Sequence, residues 1–316
     1  MTKYKRPITH IMIRFIKVLL LSSMVIFAGY SCSKKFMVID SPKTQPKARE
    51  ITKPIEVALV LGGGAFHGMA HAGVIKVLED AGIPIDLIVG TSAGSMVGAM
   101  YADQPHIDSL FHLINSTTSK DVFDFSLFRS REGFVSGKRL QKYLSENLSV
   151  TKIEETRIPF VAVTTDIEKG ISVALKAGPI APSVNASCAI PGIFEPVKMY
   201  GTTFVDGGVL DGVPVNFAKE YNPKYIIAVS IMSFDSTVEL KNYKKVVLRA
   251  YQVAMHNLTA EVLKTADLII SPNLQGIPLM SGKDNEKMYK LGLDAATKLL
   301  PEMKKQLNER GIEFGK

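Results

Sequence analysis

The chain has few of the residues that cross-link a protein or hold a cofactor. It contains only two cysteines, Cys32 and Cys188. No cluster of His, Cys and Asp has the spacing of a metal site, and no loop of carboxylates suggests calcium binding. With 46% hydrophobic and 22% charged residues, the composition is that of a globular protein. We therefore expect a fold that depends on its hydrophobic core, without a metal ion or another cofactor.

The chain also lacks an apolar run that would span a bilayer comfortably, which takes about 20 residues. The apolar run at 18–29 is interrupted by two serines. It follows five basic and no acidic side chains and precedes small and polar residues. This order is typical of a secretory signal. Cys32, which comes directly after this segment, resembles the acylated cysteine of bacterial lipoproteins.

We therefore predict a lipoprotein-type signal peptide at 1–31 and lipidation of Cys32. The protein would then be exported and anchored to a membrane of the cell envelope, in the outer membrane or on the periplasmic side. In that case Cys188 has no disulfide partner. An ordinary signal peptide and an uncleaved signal anchor are the alternatives, because Gly29 and Tyr30 depart from the usual lipoprotein pattern.

The net charge of +8 comes largely from this N-terminal segment. Outside residues 1–31, the chain carries 33 basic and 30 acidic side chains. No basic patch alternates with aromatic residues, and no nucleic-acid module is recognisable. We therefore expect no nucleic-acid partner.

Residues 32–54 are rich in lysine, proline and serine, and this composition predicts a tether. A single α/β domain is expected at 55–316, because apolar runs alternate with segments of helical periodicity. Strands are predicted at 57–61, 85–89, 159–164, 203–205, 225–231 and 267–271. Helices are predicted at 68–81, 92–102, 137–147, 214–220, 243–265 and 284–310. The strand–helix–strand–helix order at the start of the domain predicts a parallel sheet.

Ser92 lies at the centre of the segment GTSAG, between a predicted buried strand and a helix of small residues. In this context GxSxG is the pattern of a nucleophile elbow, in which a sharp turn exposes the serine hydroxyl at the sheet edge. The N-terminus of the following helix offers N–H groups and a positive dipole end to a developing anion. The alternative is an ordinary helix start that Ser92 caps.

Two further segments suit such a serine. Residues 62–68 (GGGAFHG) leave a predicted strand and enter a helix, and successive glycines let backbone amides converge on an oxyanion. The loop could also cradle phosphate, but it lacks a strict GxGxxG pattern and the Lys-Ser/Thr of a Walker motif. Asp206, followed by two glycines, comes after a short apolar run and is either a base or a turn former.

Together, the glycine loop, the GxSxG serine and the Asp-Gly-Gly segment resemble the patatin-like phospholipases. Residues 57–102 and 186–197 extend the resemblance, which covers 57–230 and leaves 231–316 as a C-terminal helical cover. The resemblance implies a three-layer α/β fold with a mainly parallel central sheet flanked by helices. It also implies a catalytic dyad, with Ser92 as nucleophile and Asp206 as proton acceptor, and an acyl-enzyme that water hydrolyses.

The resemblance further implies that the amides of Gly63, Gly64 and Ala65 form the oxyanion hole. The glycines that support the three motifs are Gly62, Gly68, Gly90, Gly94, Gly207 and Gly208. Ala65 stands where the family usually has glycine, and His67 stands where it has arginine or lysine. If position 65 needs a positive φ, alanine is disfavoured there. Burial of Asp206 would raise its pKa and strengthen it as a base.

The function that the resemblance implies is hydrolysis of carboxylic esters in membrane phospholipids or lysophospholipids. One alternative is a Ser-Asp-His esterase that uses His256, although this histidine lies in a predicted helix and not on a loop. Another alternative is a non-catalytic lipid-binding lipoprotein that keeps the fold and lacks the reaction.

Overall fold

The central layer of the protein is a β-sheet, which has nine strands in the part of the chain that the structure describes. The computed structural model describes residues 37–122, 135–232, 240, 242–279 and 284–315. The strands are β1 (Met37–Val38), β2 (Val57–Leu61), β3 (Leu87–Thr91), β4 (Phe160–Asp166), β5 (Ile171–Leu175), β6 (Val197–Met199), β7 (Thr202–Asp206), β8 (Tyr225–Val229) and β9 (Leu268–Ile270). The predicted signal peptide at 1–31 and Cys32 lie outside the described residues.

Helices flank this sheet. In the described ranges they are α1 (Met69–Asp80), α2 (Ala93–Asp103), α3 (Ile107–Ser116), α4 (Ser119–Val122), α5 (Lys138–Asn147), α6 (Ile180–Ser187), α7 (Val215–Lys219), α8 (Tyr243–Leu263) and α9 (Asn285–Glu309). Across those same ranges, no helix combines the length and the apolar character that a membrane crossing requires.

The strand order is β1-β6-β7-β4-β3-β2-β8-β9, with β5 paired to β4. The neighbours β4, β3, β2, β8 and β9 are parallel to one another. Both β5 and β7 run antiparallel to β4, and β6 runs antiparallel to β7 and parallel to β1. The prediction of an α/β fold with a mainly parallel central sheet is therefore confirmed.

Strand β2 shows that the sheet is buried on both faces. All five of its residues (VALVL) are buried, as expected for an apolar run without polar alternation. Leu59 faces a large core that it shares with α1, α2 and α9. Val60 faces a smaller core with α7 and the end of α8. The helices on the two faces give the three layers that the resemblance implied.

The predicted strands and helices are confirmed with small shifts at their ends. Strand 57–61 is β2 itself, whereas the strand predicted at 85–89 is β3 and begins two residues later. The sequence did not predict β1, β5, β6, α3, α4 and α6. Strand β6 has three residues and β5 is partly exposed. Each is held by pairing with the strand next to it in the sequence, β5 with β4 and β6 with β7, and not by a hydrophobic pattern of its own.

Residues 37–54 lie along the domain, and the prediction of a tether is wrong for this segment. Strand β1 pairs with β6, and Met37 is buried. Farther along the segment, Arg49 Nη1 donates a hydrogen bond to the Thr156 carbonyl oxygen at 2.6 Å. The segment is rich in lysine and proline, but its backbone finds partners at the sheet edge, which composition alone does not reveal.

Two glycines let α1 and α9 pack with their backbones in contact. A Cβ atom on Gly73 would lie 2.0 Å from the Tyr289 carbonyl oxygen, and one on Gly292 would lie 2.0 Å from the Ala70 carbonyl oxygen. Neither distance leaves room for a methyl group, because protein interiors are close-packed. The two glycines therefore hold α9 directly against α1, the helix that follows the glycine loop.

We expect Gly292→Ala to lower the free energy of unfolding by about 1–3 kcal/mol, because the added methyl group pushes α9 away from α1. Urea denaturation followed by circular dichroism measures this. Lys298→Ala, at an exposed position of the same helix, is the matched control and should change stability by less than about 0.5 kcal/mol. Equal stability of Gly292→Ala and the wild type would contradict the direct backbone contact.

Candidate active site

Two strands meet end to end on one edge of β4. In the parallel pair of β3 and β4, Thr91 lies opposite Val163. In the antiparallel pair of β7 and β4, Asp206 lies opposite Thr164, the next residue of β4. Strand β5 occupies the other edge of β4, where Val163 and Thr164 have their second partners. Because β3 and β7 approach from opposite directions, the last residue of β7 lies beside the turn that follows β3.

Ser92 forms that turn between β3 and α2. Its backbone has φ 52° and ψ −121°, a conformation that residues other than glycine rarely adopt. Although Ser92 directly precedes α2, its side chain makes no capping hydrogen bond. The alternative in which Ser92 is an ordinary helix cap is therefore wrong, and its hydroxyl is available for another role.

Glycines leave the space that this turn needs. A Cβ atom on Gly90 would lie 2.5 Å from the Gly94 carbonyl oxygen. A Cβ atom on Gly94 would lie 2.1 Å from the Leu61 carbonyl oxygen. The ends of β2 and β3 and the start of α2 thus contact one another through their backbones. Both glycines of GxSxG are required for this close approach.

A second serine, which the sequence motifs did not single out, ties the turn to β4. The Ser92 N–H donates to Ser187 Oγ at 2.9 Å, and Ser187 Oγ donates to the Val163 carbonyl oxygen at 2.6 Å. Ser187 is the buried last residue of α6. Its hydroxyl fixes the position of the Ser92 backbone, so the Ser92 amide is not free for a substrate.

Asp206 is fully buried, and this burial raises its pKa to about 6. Hydrogen bonding with Ser92, Gly208 and Tyr251 opposes the rise. Asp206 Oδ1 accepts from the Gly208 N–H at 2.7 Å and from Tyr251 Oη at 2.9 Å. Oδ2 is buried and makes no hydrogen bond of standard geometry within the described residues. One carboxyl oxygen is thus fixed by two donors, and the Ser92 hydroxyl lies close enough to the carboxyl group to affect its pKa.

Tyr251 is the residue of this site that the sequence did not reveal. It lies in α8, inside the helix predicted at 243–265, and Asp206 precedes it by 45 residues. A tyrosine in an amphipathic helix is ordinarily a core residue, so no sequence signal distinguished its hydroxyl.

The glycine loop reaches Ser92 from β2. A Cβ atom on Gly63 would lie 3.3 Å from the Ser92 Cβ, so the loop packs against the serine. The Gly63 N–H, however, donates to the Gly212 carbonyl oxygen at 2.9 Å, and the prediction of Gly63 as an oxyanion donor is wrong. The N–H groups of Gly64 and Ala65 have no acceptor among the described residues. These two amides remain candidates for binding an oxyanion.

The backbone of the loop is left-handed at Ala65, with φ 47°. Glycine adopts this conformation readily, whereas an alanine there costs about 1–2 kcal/mol. Ala65, which stands where the resembling family usually has glycine, is therefore a site of backbone strain.

Two buried histidines, His67 and His71, fix the position of the glycine loop through contacts with backbone carbonyl oxygens. His71 Nε2 donates to the Gly62 carbonyl oxygen at 2.8 Å. Burial lowers the pKa of His71 to about 4, so the ring is neutral. The ring nitrogens of His67 lie 3.3 Å from the Ile231 carbonyl oxygen and 3.1 Å from that of Ile277. His67 thus connects the loop to the segments that follow β8 and β9.

An apolar cavity of about 100 Å³ opens beside Ser92. Side chains from α1, α2, α5 and the segment after α6 form most of its wall, among them Met69, Met96, Val97, Leu140, Ile190 and Phe194. Such a wall favours a hydrocarbon group over water. The serine hydroxyl therefore lies where a polar group attached to a hydrocarbon chain would be presented.

The other predicted residues lie away from this arrangement or take no part in it. His256 is exposed on α8 and is not among the side chains that hydrogen-bond Asp206. Burial raises the pKa of Cys188, which lies near Ser92, so it remains a thiol and not a nucleophile. Within the described ranges, no group of three His, Cys, Asp or Glu residues is arranged to hold a metal ion.

The sequence and the fold are similar to those of known proteins. The family description "Patatin-like phospholipase" matches residues 59–219, just over half of the chain. The chain is 28% identical over 275 residues to lysophospholipase NTE1 from Scheffersomyces stipitis, which covers 77% of this chain and 18% of that protein. It is 35% identical over 178 residues to an uncharacterized NTE family protein, Rv1063c, from Mycobacterium tuberculosis, which covers 55% of this chain and 49% of that protein. The chain thus corresponds to less than half the length of either relative.

The crystal structure of VipD from Legionella pneumophila has the same fold. It superposes with a TM-score of 0.50 at 16% sequence identity, over 86% of this chain and 72% of that chain.

We expect Ala65→Gly to leave the protein as stable as the wild type or to stabilise it by up to about 1 kcal/mol, because glycine relieves the left-handed strain. Chemical denaturation measures the difference. Ala254→Gly, at an exposed position inside α8, is the matched control and should cost about 1 kcal/mol. A similar loss at both positions would show that Ala65 is not strained.

Proposed function

The chain belongs to the patatin-like phospholipase family, and we propose that it is a serine hydrolase that cleaves carboxylic esters of phospholipids or lysophospholipids. The observation that carries this proposal is the position of the Ser92 hydroxyl, between a buried carboxyl with one open oxygen and an apolar cavity. A relative whose name is lysophospholipase supports the class of substrate.

In the proposed reaction, Ser92 Oγ bonds to the ester carbonyl carbon while its proton passes to Asp206. A carboxylate of ordinary pKa is a weak base for an alcohol, and the rise to about 6 makes Asp206 a stronger one. The amides of Gly64 and Ala65 donate to the oxyanion of the tetrahedral intermediate. When the ester C–O bond breaks, the leaving alcohol takes the proton from Asp206.

The second half of the reaction releases the fatty acid. Asp206 accepts a proton from a water molecule as the water oxygen attacks the acyl-enzyme. The bond between the acyl carbon and Ser92 Oγ then breaks, and the proton returns to the serine. The apolar cavity holds the acyl chain through both halves, since its wall is formed mainly by aliphatic and aromatic side chains.

A Ser-Asp-His triad would need His256 to accept the serine proton. His256 is exposed on the helix that supplies Tyr251, and it is Tyr251 that hydrogen-bonds Asp206. The arrangement therefore favours direct proton transfer from Ser92 to Asp206, without an intervening imidazole.

We expect Ser92→Ala to lower kcat/KM for phospholipid and lysophospholipid substrates by at least about a thousandfold, because it removes the nucleophile. It should also abolish labelling by a fluorophosphonate. His256→Ala is the control and should retain both activities. The measurement is release of fatty acid from a panel of lipids, together with gel detection of the label.

Two outcomes would contradict the proposal in different ways. Loss of activity in His256→Ala, at unchanged stability, would favour the triad. Failure of the wild type to hydrolyse any lipid and to react with the fluorophosphonate, under conditions in which a known serine hydrolase reacts, would favour a protein that only binds lipid.

We further propose that the protein is an exported lipoprotein of the cell envelope, anchored through Cys32 in the outer membrane or on the periplasmic side. The support is the order of basic, apolar and small residues before Cys32. Anchoring would keep the domain near the lipids that it cleaves.

Mass spectrometry of the mature N-terminus tests this anchor. We expect a chain that begins at an acylated Cys32 and partitions into detergent. Cys32→Ser should abolish acylation, whereas Cys188→Ser, the matched control, should not. An unmodified Cys32 in the mature protein would exclude the lipoprotein.

A further inference from the structure

Helix α8 brings a tyrosine hydroxyl to the carboxyl group that serves as base in the proposed reaction. Tyr251 Oη donates to Asp206 Oδ1 at 2.9 Å. The tyrosine ring packs against the larger core, and burial raises the pKa of its hydroxyl well above the usual value. The hydroxyl therefore stays protonated and remains a donor throughout the neutral pH range.

Gly208 leaves the space that this hydroxyl occupies. A Cβ atom on Gly208 would lie 2.4 Å from both Tyr251 Oη and Met255 Sδ, and 3.0 Å from Asp206 Oδ1. The φ of Gly208 is not positive, so its neighbours and not its backbone conformation exclude a side chain. An alanine at position 208 would thus displace the tyrosine hydroxyl in this chain.

The two oxygens of Asp206 have different surroundings. Oδ1 accepts two hydrogen bonds, from the Gly208 N–H at 2.7 Å and from Tyr251 Oη. Oδ2 makes none of standard geometry with the residues that the structure describes. Two donors on one oxygen fix the rotation of the carboxyl group, and the free oxygen then has a defined direction.

We propose that Tyr251 is a positioning residue for Asp206. Its hydrogen bond to Oδ1 keeps the carboxyl ionised and leaves Oδ2 free for the Ser92 proton. Gly208, which has no side chain, leaves the space for the Tyr251 hydroxyl. The inference rests on the proposed function, in which Asp206 is the base. It adds a third side chain to the site, and this side chain does not touch the substrate.

The groups around Asp206 make the hydrogen bond from Tyr251 important for the ionisation of the carboxyl group. Within the described residues, the titratable groups that face Asp206 are Cys188, from the segment after α6, and Tyr251, from α8. Burial raises the pKa of both, so both are neutral at neutral pH. The carboxylate is therefore stabilised by neutral donors and not by a cation, and each donor has a measurable effect.

Tyr251→Phe tests the proposal, because it removes the hydroxyl and keeps the ring in the core. The base must be ionised, so kcat/KM falls as the pH drops through the pKa of Asp206. Loss of a donor to the carboxylate raises that pKa. We expect the acid limb of the pH profile of kcat/KM to move to higher pH by about one unit. We also expect kcat on the plateau to fall about tenfold, with KM unchanged because Tyr251 does not line the cavity.

Tyr243→Phe, on an 81% exposed tyrosine of the same helix, is the control and should leave the profile as in the wild type. A Tyr251→Phe enzyme with lower kcat but an acid limb at the wild-type pH would overturn the proposal, because a merely structural tyrosine lowers the rate at every pH alike. A wild-type profile in Tyr251→Phe would overturn it as well.

Gly208→Ala tests the other half of the pair. We expect its acid limb to move in the same direction, because the methyl group displaces the Tyr251 hydroxyl. In the Tyr251→Phe background, the same change should add little further shift. Full additivity of the two shifts would overturn the assignment of Gly208 as the residue that admits Tyr251.

A measurement without turnover separates this proposal from the proposed function. An NMR titration of carboxyl-labelled aspartate reports the pKa of Asp206 directly, with Asp206→Asn to assign the signal. A higher pKa in Tyr251→Phe supports the positioning role even if the wild type hydrolyses no lipid, in which case only the proposed function fails. An unchanged pKa in an active enzyme overturns the positioning role alone.

Discussion

The edge of β4 that β3 and β7 share is the constraint on which the candidate site depends. Parallel β3 pairs with the first part of β4 and stops at Thr91, and antiparallel β7 takes over at the next residue. A strand that arrives from the opposite direction is the only way to place two strand ends face to face on one edge. The turn at Ser92 and the Asp206 carboxyl then meet without a loop between them, which limits their relative motion.

Strain and burial are concentrated at this meeting point. Ser92 and Ala65 both have positive φ, and Asp206 is a fully buried carboxyl. Each feature is unfavourable alone. Close backbone contacts at Gly90 and Gly94 hold the Ser92 turn, and two hydrogen bonds on one oxygen hold Asp206. The rigid part of the molecule thus stabilises a geometry that an isolated turn would not keep.

The sequence predicted what local patterns control. Strand β2, the serine turn and the aspartate after β7 follow from apolar runs and glycines, and the family resemblance joined the three motifs. Contacts between segments that are far apart in the chain could not be predicted from the sequence. The packing of 37–54 on the domain, the bond from Gly63 to Gly212 and the role of Tyr251 all depend on which segments become neighbours in the fold. None of these changes the hydrophobic pattern, so nothing in the sequence marked them.

The order of the site along the chain has a consequence for the time at which it forms. Ser92 follows β3, near the start of the domain, whereas Asp206 and Tyr251 come 114 and 159 residues later. Pairings between such distant segments close late, since loop-closure entropy opposes them until the intervening elements have folded. A chain still in synthesis, or one cut before α8, holds the serine without its carboxyl or without the tyrosine beside it. The reaction proposed for this site would therefore arise only in the completed domain, and the cell that makes the protein would not meet an active fragment of it.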